Sequence, residues 1–96
     1  MQAVEVRFRR EAARDLLSIF FYIEELSRST TTARNYVRRI RDRCERIGLA
    51  PLGGRPRDDL VPGLRTVPFE RSVVIAYLVV EQGVEIVNVF LSLIHI

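Results

Sequence analysis

Apolar and polar residues alternate from Val4 to Arg9, the two-residue period of a half-buried strand. The period then changes. From Arg10 to Ser27, Ala12, Leu16, Ile19, Phe20, Ile23 and Leu26 recur at helical spacing, and Glu11, Asp15, Ser18, Tyr22 and Glu25 form the opposite stripe. Ser29-Thr30-Thr31-Thr32 breaks the pattern with residues that favour helix N-caps. A second helix is predicted from about Thr31 to Leu49, with Ala33, Tyr36, Val37, Ile40, Cys44 and Ile47 on its apolar face. Gly48 is placed to end it, and Pro51 prevents continuation.

Residues 51–63 hold Pro51, Gly53-Gly54, Pro56 and Pro62-Gly63, which predicts an ordered loop. Three runs rich in Val and Ile follow: Leu64–Phe69, Ser72–Val80 and Val84 to roughly Leu91. Glu70-Arg71 and Gln82-Gly83 mark the turns between them. The predicted order is therefore β-α-α-β-β-β. Two antiparallel helices with a short connector leave apolar faces that a sheet must cover, so the fold class is α+β, a helix hairpin on a small, mainly antiparallel sheet. The expected single domain spans residues 1–90.

The end of the chain departs from this regularity. Val84–Ile96 is too long and too apolar for a final strand of ~5–6 residues. Residues 90–96 lose the alternation and carry neither Arg nor acid. Leu91–Ile96 is accordingly expected to be an atypical, non-native apolar end, of the kind a mis-assembled reading frame would leave.

Composition narrows the chemistry. The 96 residues include 15 Arg and no Lys, against 12 acids, for a net charge of +3. Arg codons are GC-rich, which explains much of the bias. The absence of Lys removes any Lys base or Schiff base. One Cys excludes an internal disulfide and a Cys-based zinc site, and one His leaves little for metal or triad chemistry. No cofactor is expected. No apolar run approaches ~18 residues, so no transmembrane helix is implied. The N-terminus does not read as a signal peptide, and a cytoplasmic protein is expected.

Residues 28–46 hold seven Arg and two acids, whereas residues 50–96 hold four Arg and five acids. The second helix is the basic element. Two readings of it remain open: a solvated face laced by pairs such as Arg38–Asp42 and Arg41–Glu45, each worth ~0.2–0.5 kcal/mol, or a contact for nucleic acid or an acidic partner.

The segment Gly54-Arg55-Pro56-Arg57-Asp58-Asp59-Leu60-Val61-Pro62-Gly63-Leu64-Arg65, followed by Arg71-Ser72-Val73-Val74-Ile75-Ala76-Tyr77 on this element order, resembles the ParE branch of the ParE/RelE toxin superfamily. Ala12, Asp15-Leu16, Tyr22-Ile23, Tyr36 and Arg39-Ile40 also fit its pattern. The resemblance implies the toxin of a bacterial type II toxin–antitoxin pair, a class associated with plasmid stabilisation. ParE toxins inhibit DNA gyrase, and ParD-like antitoxins wrap an extended or helical C-terminal segment around them. DNA would then be contacted only through the antitoxin complex. RelE-type relatives share the fold but cleave mRNA on the ribosome.

Cleavage by 2′-hydroxyl attack needs a base, an acid and a cation on the phosphate. Arg supplies the cation but is a poor base. If the chain were a nuclease, Arg65, Arg71 and Tyr77 would be the catalytic candidates, with Glu70 a further carboxylate at the turn. Inhibition by binding needs only a rigid charged surface. Arg55, Arg57, Arg65 and Arg71 are the target-binding candidates, with Arg65 and Arg71 expected in one neighbourhood. Two alternatives are structural: a pair of Arg57 with Asp58 or Asp59, and a half-buried salt bridge for Arg65. Leu17 and Phe21 are the antitoxin-binding candidates, because Phe20 and Phe21 cannot both point inward.

Overall fold

The computed structural model describes residues 3–91. Its elements are β1 (Glu5–Phe8), α1 (Arg10–Ser27), α2 (Thr30–Ile47), a single 3-10 turn (Pro51–Gly53), β2 (Arg55–Pro56), β3 (Leu64–Phe69), β4 (Val73–Val80) and β5 (Gly83–Leu91). The predicted bounds of α1 hold, and α2 begins and ends slightly earlier than expected. Ser29 caps α2, its Oγ accepting from the Thr32 amide at 3.1 Å.

The five strands form one sheet in the order β1-β5-β4-β3-β2. β1 pairs with β5 in parallel, and the other three pairings are antiparallel. The parallel pair is the consequence of α1 and α2 intervening before the meander. β2, only two residues long, lies within the predicted loop and pairs with Thr66 and Arg65. One irregularity interrupts the β4–β5 ladder, where Val87 is the extra residue between the partners of Ala76 and Tyr77. It returns Ile86 and Val89 to the same buried face.

The core lies between the sheet and the hairpin. Ala12, Leu16 and Ile19 of α1 and Ile40, Cys44 and Ile47 of α2 pack on Val67, Phe69, Val73, Ile75, Tyr77, Val84, Ile86 and Val89. Burial pushes the Cys44 thiol up to about 12, so it acts as a small apolar residue.

Two glycines beside β1 are required by close approach. Gly48 is the C-cap of α2, but its φ of −62° is right-handed. A Cβ there would sit 2.6 Å from the Val4 carbonyl, which caps the space where β1 crosses the helix end. At Gly83, φ is 153° and a Cβ would run into the Glu5 backbone across the parallel pair.

β5 runs through Leu91, longer than the expected final strand. The atypical end predicted for residues 91–96 otherwise lies outside the described residues. No helix among those described is long and apolar enough to cross a membrane.

Candidate functional site: a pinned loop and an open helix groove

The loop after α2 is held from inside by Tyr77. Its side chain is 0% exposed, and its hydroxyl donates to the Pro51 carbonyl at 2.7 Å and accepts from the Gly54 amide at 2.9 Å. Gly54 must be glycine here, because a Cβ would strike the Tyr77 ring and hydroxyl. Arg65 completes the clasp. Its Nη1 donates to the carbonyls of Leu52 (2.9 Å) and Gly54 (2.8 Å). A guanidinium thus satisfies two turn carbonyls that have no strand partner.

The rest of the loop closes locally. Arg57 makes a fork-to-fork pair with Asp59 at 3.0 and 2.9 Å, which holds the Asp59 carboxyl below its usual range. Asp58 accepts from the Gly63 amide at 2.8 Å, and Gly63 has a φ of 82°. Of the two structural alternatives read from the sequence, the Arg57 pair is present, with Asp59 as partner. Arg65 makes bonds to carbonyls instead of a salt bridge. Arg55 is exposed on the edge strand β2 and bonds no carboxylate among the described residues.

Arg71 is not in this neighbourhood, contrary to the sequence reading. The β3–β4 register pairs Arg65 with Tyr77 and Phe69 with Val73, so Arg71 lies at the opposite end of the hairpin. Its turn places Glu70 and Arg71 at φ 49° and 72°, an unusual conformation for side chains with a Cβ. Arg39 of α2 anchors that turn through two bonds to Glu70, at 3.0 and 3.2 Å. Tyr36 adds an edge-to-face contact with Phe69, and burial is the main cause that raises its hydroxyl pKa. The Arg39–Glu70 pair joins residues 31 apart, and no local pattern marks it.

The second feature is the outer face of the hairpin. Leu17 and Phe21 are 57% and 55% exposed. Ala13, Leu16, Leu17 and Phe20 of α1, with Val37 and Arg41 of α2, line an open groove of about 290 Å³. Phe20 is half-buried, and Phe21 stands edge-on to it at 5.4 Å, so the two rings divide as expected. Arg38 and Arg34 lie one and two turns back from Arg41 on the same stripe. The expected pairs Arg38–Asp42 and Arg41–Glu45 are absent. Arg38 donates to Asn35 at 2.8 Å instead, and Arg41 stacks on the Phe8 ring at 5.0 Å. In both cases a neutral partner is in reach without holding two long chains in one rotamer.

A third opening sits beside β5. β1 ends at the Phe8–Ile86 pair, so Val87–Leu91 has no β1 partner. Asp15 takes the Val89 amide at 2.8 Å and the Asn88 side chain at 3.1 Å. Ile19, Tyr22, Phe90 and Leu91 line the groove alongside. Only the strand register, not the sequence, exposes this edge.

The profile of the ParE toxin of the type II toxin-antitoxin system parDE matches residues 6–92. The chain belongs to the ParE toxin family. Among solved structures, it is similar to a chain of the chromosomal ParDE toxin–antitoxin system from P. aeruginosa, with a TM-score of 0.81 and 23% identity. That match covers 93% of this chain and 96% of the other. At this identity the likeness supports the shared fold. Among curated proteins, none matches the sequence. As a ParE-family toxin of a two-component system, the chain implies an antitoxin partner.

Proposed function

We propose that this ParE-family chain inhibits DNA gyrase by binding it, and that a ParD-like antitoxin neutralises it by occupying the hairpin groove. Arg55, Arg57, Arg65 and Arg71 remain the residues proposed on the target side, and Leu17 and Phe21 those on the antitoxin side. The observation that carries inhibition over catalysis is the state of Tyr77. An RNA-cleaving site needs a proton donor or acceptor within hydrogen-bond reach of the bound substrate. The Tyr77 hydroxyl is sealed and its hydrogen bonds are satisfied by the loop. Arg65 points its guanidinium into the same loop, and Glu70 is held by Arg39. Three of the four groups named for mRNA cleavage, Tyr77, Arg65 and Glu70, are thus engaged within the fold, and Arg71 is left exposed at the far turn.

The groove supports the antitoxin half. It combines exposed apolar side chains from α1 with a cationic stripe from α2, and none of the ion pairs found among the described residues engages Arg34, Arg38 or Arg41. This suits a segment that folds on binding, apolar on one side and acidic on the other.

The test is a supercoiling assay with purified gyrase. Inhibition relieved by the antitoxin is expected. Codon-specific cuts in a translating extract, abolished by Arg65→Ala or Arg71→Ala, would instead establish the RelE-like ribosome-dependent nuclease.

A further inference from the structure

The pinned loop displays apolar residues that folding leaves uncovered. Leu52 is 70% exposed, Leu60 59%, and Leu49 and Val61 are exposed with them. Leu49 and Leu52 precede β2, and Leu60 and Val61 form the tip that follows it, so Arg55 stands between the two pairs in the chain. Val79, also exposed, shares a face of β4 with Tyr77 two residues further toward this end. All belong to one end of the fold, where α2 finishes, β3 starts and β4 stops.

A loop that only linked α2 to β3 could be polar and loose. This one is fixed by the Tyr77 hydroxyl, the Arg65 bonds to two carbonyls, the Arg57–Asp59 fork and the Asp58–Gly63 bond. A rigid backbone that holds apolar side chains in solvent lowers the ordering cost of association. The charges indicate the partner. Arg55 and Arg57 face Asp58 and Asp59 in the same segment, so the loop offers no cationic field to a phosphate backbone. Of Arg55 and Arg57, Arg55 is the one that bonds no carboxylate among the described residues.

We infer that this loop is a docking surface for a folded protein, which covers Leu52, Leu60 and Val61 and offers a carboxylate to Arg55. It is separate from the hairpin groove. The inference rests on the proposed inhibitory function for its partner, gyrase, and changes the weight there from charge to apolar contact.

The experiment compares the full chain with Leu60→Ser/Val61→Ser and with Arg55→Glu. Retained antitoxin binding shows that each variant is folded. Leu26→Ser, an exposed leucine on α1 away from the loop, is the control. Binding to immobilised purified gyrase is measured first. The loop variants are expected to bind at least about ten-fold more weakly, the size of a lost interface anchor, with Leu26→Ser unchanged. Equal binding by the loop variants overturns the inference. If the parent chain does not bind gyrase, the gyrase reading fails, and growth arrest on expression decides the surface. Arrest lost in the folded loop variants but kept by Leu26→Ser upholds docking on a different protein. Arrest kept by the loop variants, or absent with the parent chain, overturns it.

Discussion

The arginines of the pinned loop and those of the α2 stripe look alike in sequence and behave differently in the fold. Arg57 and Arg65 lie in the segment on which the resemblance rests, yet their guanidinium groups close the loop on Asp59, Leu52 and Gly54. Arg34, Arg38 and Arg41 lie on an ordinary amphipathic helix, where Arg41 lines an apolar groove and none of the three enters an ion pair found among the described residues. A loop arginine can thus maintain the shape of a surface while a helix arginine supplies charge. The difference arises from local backbone need. A turn carries carbonyls without strand partners, and a helix interior carries none.

Removing the pin should have the largest effect. Tyr77→Ala is expected to cost about 3–5 kcal/mol, because it opens a cavity in the core. Tyr77→Phe keeps the ring and leaves the Gly54 amide unpaired in a buried position, for about 1–3 kcal/mol. Urea denaturation followed by circular dichroism measures both. A Tyr77→Phe protein as stable as the parent would mean that the loop is not held by the hydroxyl.

On the other surface the effect should fall on binding. Leu17→Ser/Phe21→Ser is expected to weaken the antitoxin complex by about 2–4 kcal/mol, as loss of paired anchors does. Stability should change by no more than about 0.5 kcal/mol per exposed site. Isothermal titration of the antitoxin segment, with a melt of each variant, separates the two quantities. Unchanged affinity would move the antitoxin elsewhere, the β5 edge beside Asp15 and Phe90 being the next surface to probe.

The arginines themselves should separate in the same way. Arg65→Ala removes two charged hydrogen bonds and is expected to cost up to about 1.5–3 kcal/mol of stability, reduced by partial exposure. Arg34→Ala/Arg38→Ala should leave stability within about 0.5 kcal/mol of the parent. It should slow antitoxin association and flatten its salt dependence. Stopped-flow mixing at two salt concentrations tests the second half. An Arg65→Ala protein of parental stability would contradict the clasp.

The helices were legible because their information is local. The stripe Ala12, Leu16, Ile19 and Ile23 bounds α1 correctly, and Ser29 with Pro51 brackets α2. The meander followed from Gly83 and the Val-rich runs. What was not legible depends on register. The separation of Arg65 from Arg71 is a consequence of the Phe69–Val73 pairing. The Tyr77–Gly54 contact joins residues 23 apart, and the open edge of β5 exists because β1 stops at Phe8. The site is therefore less visible than the fold: residue types marked Arg57 and Phe21 as candidates, but only packing showed which charges close on their own loop.

The smallest expected effect tests whether the Arg57–Asp59 fork contributes to the pin. Asp59 is exposed, and its hydrogen bond to Arg57 lowers its pKa from the ordinary 3.8. A carboxyl depressed by folding adds stability above the unfolded value and loses it as pH falls through the folded one. The parent chain should therefore lose slightly more stability than Asp59→Asn between about pH 5 and pH 2. At neutral pH the variant should be the weaker of the two, and the gap should close on acidification. Thermal melts at four or five pH values read the difference directly. Parallel curves would show that water replaces the fork at no cost, leaving Tyr77, Arg65 and Asp58 to hold the loop.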